Sequence, residues 1–454
     1  MKRLVSIMGV WLVPALAAAN GSYTHIHMSQ IAADGLPPGE LATLLAVPDN
    51  RVALEAGSMF PDSGYAISDP YGELAHWEPF LVQLVARLRA TYDGDYSSPE
   101  AQRAVAFLLG VASHGMADQS YDTTLLDRAF EVDGGEDVDR PVDQFADYFI
   151  VVDDDVVFTV EAWGPYGELV PAMEATGYSV GEDTLFNGMS RMAAVVNLQG
   201  MPRIAGNLYW DAWESYPFLG TFIYDDRAVG SVPWVADVIA RYWEVLWARL
   251  HAADDVDAQL VIRAVPEDGG VNWPVDLSES VAWGRPALWL GYAIDRDQLE
   301  PLVSLRAAAT GEAVPFRLQT AYGGRERNLV FVRPEAALAY ATEYTIELAA
   351  GVETLDGRVT TEPFATSFRT RCAPDRLDEC PPLDPPLVTG EVPMRPVAPD
   401  AGPPPDAGPP AIDAGPGTPV GGGCATSAAR PGGYLFGACV LAWLFWRRRR
   451  GETR

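Results

Sequence analysis

The chain has 454 residues, 48% of them hydrophobic, which is long for one ordinary domain and apolar enough for a sizeable core. Its formal net charge of −30 argues against a protein that grips nucleic acid by the phosphates, and no nucleic-acid partner is expected. The four cysteines include no Cys-x-x-Cys pair, which disfavours a thiolate zinc site.

In chain order, "MKRLVSIMGVWLVPALAAANGS" places two basic residues before a short apolar run that ends in small residues. Ala17 and Ala19 satisfy an Ala-x-Ala rule, so residues 1–19 are expected to be a secretory signal peptide. An uncleaved anchor is the rival reading, disfavoured by the shortness of the run. From 20 to 257 the pattern is mainly helical. "HWEPFLVQLVARLRATY", "SSPEAQRAVAFLLGVASHGMADQSYD" and "SVPWVADVIARYWEVLWARLHAADD" repeat apolar residues at helical spacing. In the second of these, Ser98 is placed to cap, Pro99 takes the first helical position and Glu100 the first turn. His114, Asp118 and Asp122 then recur every four residues, which on one continuous helix stacks them on one face.

After Asp257 the pattern changes. "ALWLGYAI", "NLVFV" and "YTIELA", with Asp-Gly turns at Asp268–Gly269 and Asp356–Gly357, predict a β-sandwich over 258–371. Cys372 and Cys380 flank a short segment and could close a small disulfide loop in an oxidising compartment. The Pro-, Gly-, Ala- and Asp-rich stretch within 372–423 reads as an extended, semi-rigid linker. Residues 424–454 carry Cys424, an apolar run shorter than the about 20 residues of a spanning helix, and a basic end that would stay cytoplasmic. The segment ending "ATEYTIELAAGVETLDGRVTTEPFATSFRT" resembles bacterial Ig-like modules, which usually space or present another domain. The last segment resembles the C-terminal sorting tails of myxobacterial surface proteins. That likeness implies a processed, lipid-anchored Cys424 and a membrane contact through the tail. The alternative, a single weak membrane anchor, also leaves the folded domains outside the cell, at the surface or on the outer membrane.

Four of the five histidines, His25, His27, His76 and His114, precede residue 115 and lie near carboxylates. A lone histidine is more often structural, but this clustering, with Asp118 four residues after His114, points towards metal. His251 reads as a helix C-terminal residue favoured by the dipole. The acids of "VVDDDVVF" and "YDDR" read as solvated or turn residues. No G-x-S-x-G occurs, so a serine hydrolase has no support.

"EAGSMFPDSGY", "HWEPFL" and "AVAFLLGVASHGMAD" follow the order and wording of zinc-dependent phospholipase C-like domains, including those that open glycosylphosphatidylinositol-specific phospholipases D. "THIHMS" extends the likeness to the mature N-terminus, and a weaker likeness runs to about residue 250. The resemblance implies a helical bundle holding three zinc ions in a cleft. It puts Asp62, His76, His114 and Asp118 at one metal, with Asp62 able to bridge two, and His25 at a neighbouring metal. The chain also departs from that pattern. Gln30 and Asp122 stand where the family has histidines, and "DRPVDQFAD" supplies Asp139, Asp143 and Asp147 where it has a histidine followed by two acids. Asp122, Asp139 and Asp143 as ligands suit calcium, magnesium or manganese better than zinc. Helix capping by Asp139, with Pro141 and Asp143 in the first turn, is the equal alternative.

The expectation is therefore a multidomain protein, a mainly α-helical phospholipase C-like bundle followed by an all-β Ig-like sandwich, a linker and a short membrane-associated tail. Its function is read as that of an exported, surface-tethered phosphodiesterase of the phospholipase C/D type. It would use two or three zinc ions, one position preferring a harder cation, to split phospholipid head-group esters or another phosphodiester. Asp62 would orient or deprotonate the attacking water. The alternative is a non-catalytic surface-display or adhesion protein with a degraded metal site. A nuclease of the related trinuclear-zinc fold ranks third, disfavoured by the acidity.

Overall fold

Proline at the first turn recurs along the helical region, where its fixed φ starts a helix and its missing N–H costs nothing. The structure is a computed structural model and describes residues 21–134, 142–253, 255–275, 285–373, 375–376 and 380. The signal peptide, Asp139, nearly all of the linker and the tail with Cys424 lie outside the described residues. The helices are α1 (Ser22–Gly35), α2 (Glu40–Leu45), α3 (Pro48–Tyr65), α4 (Tyr71–Ala75), α5 (Glu78–Tyr92) and α6 (Pro99–Ala117). A π-helical segment (Asp118–Leu126) continues α6 and leads into α7 (Asp127–Asp133). Then follow α8 (Val142–Asp153), α9 (Tyr166–Ala175), α10 (Glu182–Gln199), α11 (Pro202–Ser215), α12 (Pro217–Phe222), α13 (Val232–Leu250) and α14 (Val256–Gln259). The α6 start is the one its sequence implies: Ser98 Oγ accepts from the Ala101 N–H at 3.2 Å, with Pro99 and Glu100 following.

Helices α3 and α6 cross with their backbones in contact. A Cβ on Gly57 would sit 2.1 Å from the Phe107 carbonyl oxygen, and one on Gly110 would sit 2.2 Å from that of Leu54. Only glycine fits at such an approach. A Cβ on Gly115 would meet the His76 carbonyl oxygen at 2.1 Å, so α6 also lies against the turn between α4 and α5. The Ser29 hydroxyl, on α1, lies 2.6 Å from that of Ser113 and 2.8 Å from that of Ser58, which ties α1 to both. Trp243 of α13 is fully buried and donates its indole N–H to the Leu109 carbonyl at 2.8 Å.

The β region contains β1 (Val261–Val265), β2 (Gly270–Trp273), β3 (Ala287–Asp295), a short helix α15 (Arg296–Leu299), β4 (Val303–Ala307), β5 (Phe316–Thr320), β6 (Glu326–Pro334), β7 (Glu343–Leu348) and β8 (Phe364–Thr370). They form two four-stranded sheets, ordered β1-β3-β6-β5 and β2-β8-β7-β4. Strand β3 is buried at every position but its last, so both of its faces are covered. One cover is helical, since Trp289 packs on Trp234 of α13 with ring centroids 4.8 Å apart. Strands β4, β7 and β8 alternate buried and less buried positions, as in a sheet with one solvated face.

Two expectations need correction. The stretch from Pro99 past Asp122 is not one α-helix, because it changes to π geometry at Asp118. The β region is not a spacer held away from the helical domain. It forms one compact unit with it, joined by buried contacts at Trp289 and at Gln119, which accepts from the Asn328 N–H at 2.8 Å. Beyond the strands, Cys372 and Cys380 are disulfide-bonded.

A buried charge cluster also links α5 to α13. Glu78 and Arg249, 3% and 4% exposed, form an ion pair, the Tyr242 hydroxyl donates to the same carboxylate, and the guanidinium lies 5.1 Å from the Tyr292 ring of β3. Arg249→Met should leave the Glu78 carboxylate buried without its cation and cost about 3–5 kcal/mol. Urea denaturation of the full chain reads this as a lower midpoint at unchanged slope. A loss below about 1 kcal/mol would mean that the pair does not hold the two helices together.

Candidate metal centre

Five side chains from five elements of the helical region converge. His25 comes from α1, Asp62 from the last turn of α3, His76 from the end of α4, His114 from α6, and Asp118 from the first residue of the π-helical segment. Two overlapping groups have donor atoms within 4.8 Å of one another: Asp62, His76 and His114, and His25, His114 and Asp118. His114 Nε2 lies 3.1 Å from His76 Nε2 and 3.6 Å from Asp62 Oδ1, and His76 Nε2 lies 3.6 Å from the same oxygen. Asp118 completes the set, with Oδ2 3.5 Å from His76 Nε2 and Oδ1 3.8 Å from His114 Nε2. A tetrahedral zinc with ligands at 2.0–2.1 Å separates them by about 3.3–3.4 Å, so Asp62, His76 and His114 have nearly the spacing such an ion needs, and Asp118 stands beside them.

The histidine tautomers agree with that geometry. His114 Nδ1 is 2.6 Å from the Ser58 carbonyl oxygen and His76 Nδ1 is 2.6 Å from that of Gly72. A carbonyl only accepts, so each Nδ1 carries a proton, and Nε2 is the ring atom each histidine turns to the common point. His25 stacks on His114 at 4.0 Å and places Nε2 3.2 Å from Asp118 Oδ1, so Asp118 faces both groups.

Burial, and secondarily His76, lowers the His25 pKa to about 3. Burial, then His25, lowers that of His114 well below its ordinary value. Both rings are therefore neutral at physiological pH, the form that binds metal. Burial raises the Asp118 carboxyl well above the usual range, and the nearby Asp122, Asp62, Asp143 and Glu73 raise it further. Crowded carboxylates facing neutral imidazoles call for a cation, and the donor set fits zinc. Two further polar atoms at this end are buried with no hydrogen-bond partner, His25 Nδ1 and the Tyr121 hydroxyl.

The remaining candidates are distributed as follows. Asp122 belongs to neither ligand group, and its carboxylate accepts the hydroxyl proton of Tyr322 from the β region. Asp143, in the first turn of α8, lies near His25: a Cβ on Gly21 would be 3.6 Å from both the Asp143 Cβ and His25 Nε2. Asp147 is fully buried and accepts from the Thr24 N–H and hydroxyl at 2.8 Å and from Gln199 Nε2 at 2.9 Å. It fixes the start of α1, and burial raises its pKa to about 7. Gln30 is held by Arg51 at 2.6 Å and by Glu55 at 2.7 Å. His27, two residues from His25, meets Asp154 at 2.7 Å instead of the ligand groups. His251 caps the C-terminus of α13, its Nδ1 2.9 Å from the Trp247 carbonyl oxygen. Sequence reasoning missed Tyr121 and Tyr322. The first lies between candidates already noted at 118 and 122, whereas nothing in the sequence ties the second, about 200 residues on, to them.

Residues 24–121 match the family described as zinc dependent phospholipase C, and all five converging residues fall inside that span. Three phosphatidylinositol-glycan-specific phospholipases D are similar to part of the chain. That of Dictyostelium discoideum is 42% identical over 77 residues, that of Bos taurus 30% over 118, and that of Homo sapiens 33% over 88. These stretches cover 16%, 24% and 18% of this chain and only 8%, 14% and 10% of the relatives. A solved S-layer protein, rSbsC, aligns over 65% of this chain and 46% of its own at 11% identity and a TM-score of 0.19, too low to bear on fold or function.

His114 donates to the set from the deepest position, so the purified chain with His114→Ala should retain at least one zinc fewer than the wild type and melt at a lower temperature. Elemental analysis and thermal denaturation measure both. Equal zinc content in the two proteins would remove His114 from the site.

Proposed function

We propose that the chain is an exported, surface-tethered, metal-dependent hydrolase of the phospholipase type that cleaves a phosphodiester in a phospholipid head group. One observation carries this reading: the Asp62, His76 and His114 donor atoms lie 3.1–3.6 Å apart, with the Asp118 carboxylate beside them, inside the segment that matches zinc dependent phospholipase C. Asp62, His76, His114 and Asp118 would hold the ion, with His25 beside it. Zinc bound there would polarise a phosphoryl oxygen and make a water acidic enough to attack near neutral pH. The protein's own groups do the rest. His76 and His114 are locked by the Gly72 and Ser58 carbonyls and keep their Nε2 atoms on target. Asp62, 8% exposed, is the carboxylate placed to orient or deprotonate the attacking water. Asp122 and Asp143, both close enough to act on the buried Tyr121 hydroxyl, would offer oxygen ligands suited to a harder cation.

Export is supported by the N-terminal "MKRLVSIMGVWLVPALAAANGS" and by the Cys372–Cys380 disulfide, which persists in an oxidising compartment. Tethering is supported by the Cys424-containing tail and its terminal arginines. Among the described residues no helix is long and apolar enough to cross a membrane. A second reading, a non-catalytic surface protein, is favoured by the engagement of Gln30 with Arg51 and Glu55 and of Asp122 with Tyr322.

Protease added to intact cells should release a soluble fragment cut within 381–423, since a Pro/Gly-rich spacer offers no core to protect it. If cleavage requires lysis, the chain is not displayed outside.

The activity test uses the purified full chain, stripped by chelation and reloaded, on a chromogenic phosphodiester and on phospholipid vesicles. Zinc together with manganese or calcium should restore more turnover than zinc alone, and Asp122→His should shift the requirement towards zinc. Asp62→Asn should lower kcat at least about 100-fold. No turnover by the wild type with any metal would favour the non-catalytic reading. Equal turnover by wild type and Asp62→Asn would remove Asp62 from the chemistry.

A further inference from the structure

The family match ends at residue 121, yet the centre is closed by a residue two hundred positions later. Tyr322 sits in the turn between β5 and β6 at φ 53 and ψ 12, a left-handed conformation that a non-glycine residue holds only where its surroundings impose it. Its hydroxyl donates to Asp122 Oδ2 and also lies 3.2 Å from the Asp118 carbonyl oxygen. Its ring packs 5.9 Å from that of Trp77, the neighbour of His76 in sequence, and the Arg327 guanidinium covers the Trp77 ring at 3.7 Å.

The same β region grips the next residues of the π-helical segment. Gln119 Oε1 accepts from the Asn328 N–H at 2.8 Å and from the Leu329 N–H at 3.3 Å, and Ser120 Oγ accepts from the Trp289 indole N–H at 2.9 Å. Four of five consecutive residues, Asp118 to Ser120 and Asp122, are thus held from outside the helix. A π-helical stretch is rare and needs such support. The Asp118 N–H still reaches the His114 carbonyl, and the change from α to π geometry begins at Asp118, so it decides where Asp122 stands relative to the His114–Asp118 pair and what the Asp118 carbonyl faces.

We propose that Tyr322 is a positioning residue of the metal centre: by holding Asp122 and the Asp118 carbonyl at the start of the π-helical segment, it fixes the main chain from which the Asp118 carboxylate faces both ligand groups. The β region is then part of the site, not a carrier for it. This rests on the metal-centre reading above but not on any particular substrate.

The test is Tyr322→Phe in the full chain, which removes the hydroxyl and keeps the ring on Trp77. Zinc affinity is measured by competition with a chromophoric chelator, beside the melting temperature of the metal-free protein and kcat and KM on the chromogenic phosphodiester. Loss of a hydrogen-bond partner behind a ligand weakens metal binding about 10- to 100-fold. The expected result is a loss of that size at the weakest zinc position, with the metal-free melting temperature nearly unchanged. Where turnover is measurable, kcat should fall at constant KM. Wild-type zinc affinity in Tyr322→Phe overturns the proposal, even if both proteins hydrolyse the substrate. A zinc loss accompanied by a matching loss of metal-free stability also overturns it, because that marks a purely structural contact. If neither protein turns over substrate while the affinity difference is present, the hydrolase reading fails and the positioning role stands.

Discussion

Glycine at 57, 110 and 115 leaves room for three backbones to touch, and the positions of the ligands follow from that contact. With Gly57 and Gly110 at the crossing, α3 and α6 approach until main-chain carbonyls fill the space where a Cβ would be. This brings the Ser58 carbonyl under the His114 ring and Asp62, one turn further along α3, beside it. Gly115 does the same for the turn that carries His76. A wider crossing would part the imidazoles from the carboxylates by more than a metal can span, because zinc bonds of 2.0–2.1 Å tolerate only tenths of an ångström. The core packing and the donor geometry are therefore one constraint seen at two scales.

Charge imposes the second constraint. Asp62 and Asp118 lie among neutral imidazoles, and Asp122 and Asp143 stand close enough to raise the Asp118 carboxyl further. Buried like charges without a counter-ion are costly, so such an arrangement persists either by taking up protons or by holding a cation. The two uses of carboxylate in this region illustrate the difference. Asp147 is surrounded by donors from Thr24 and Gln199 and is spent on fixing the first turn of α1. Asp62 and Asp118 instead face the Nε2 atoms of His76 and His114, the same atoms that would bind a metal.

Much of this was legible in the sequence because it is local. The Ser98 cap, the helical periodicity and the His114–Asp118 spacing all lie within a few residues of one another. The motifs around Asp62, His76 and His114 carry a family likeness as short, ordered strings. What was not legible depends on contacts between distant segments. Spacing alone suggested one face for His114, Asp118 and Asp122, but the π-helical segment changes the register between the first pair and the last residue. Alternation marks the strands, yet alternation does not say what a sheet packs against, and the likeness to Ig-like modules implies only that such a region spaces or presents another domain. The full burial of "ALWLGYAI" held the clue: a strand apolar on both faces needs a cover on each side, and the helical domain is one of them.

That cover changes what the site is made of. A segment of about a hundred residues can supply every first ligand and still leave their geometry underdetermined, because the last of them stands where an α-helix gives way to an uncommon one. The energy that keeps the uncommon turn in place has to come from contacts made elsewhere. Here it comes from main-chain donors of β6, an indole of β3 and a strained tyrosine between β5 and β6. A sheet is well suited to that task, since its strands are held by a ladder of hydrogen bonds and present donors at fixed intervals. An aspartate at position 122, where the resemblance implies a histidine, fits the same logic. A histidine there would offer a nitrogen to metal, whereas aspartate offers two oxygens, one of which the tyrosine uses to pin the turn. In the folded protein the Asp122 carboxylate is the contact by which the β region reaches the residue one turn beyond Asp118.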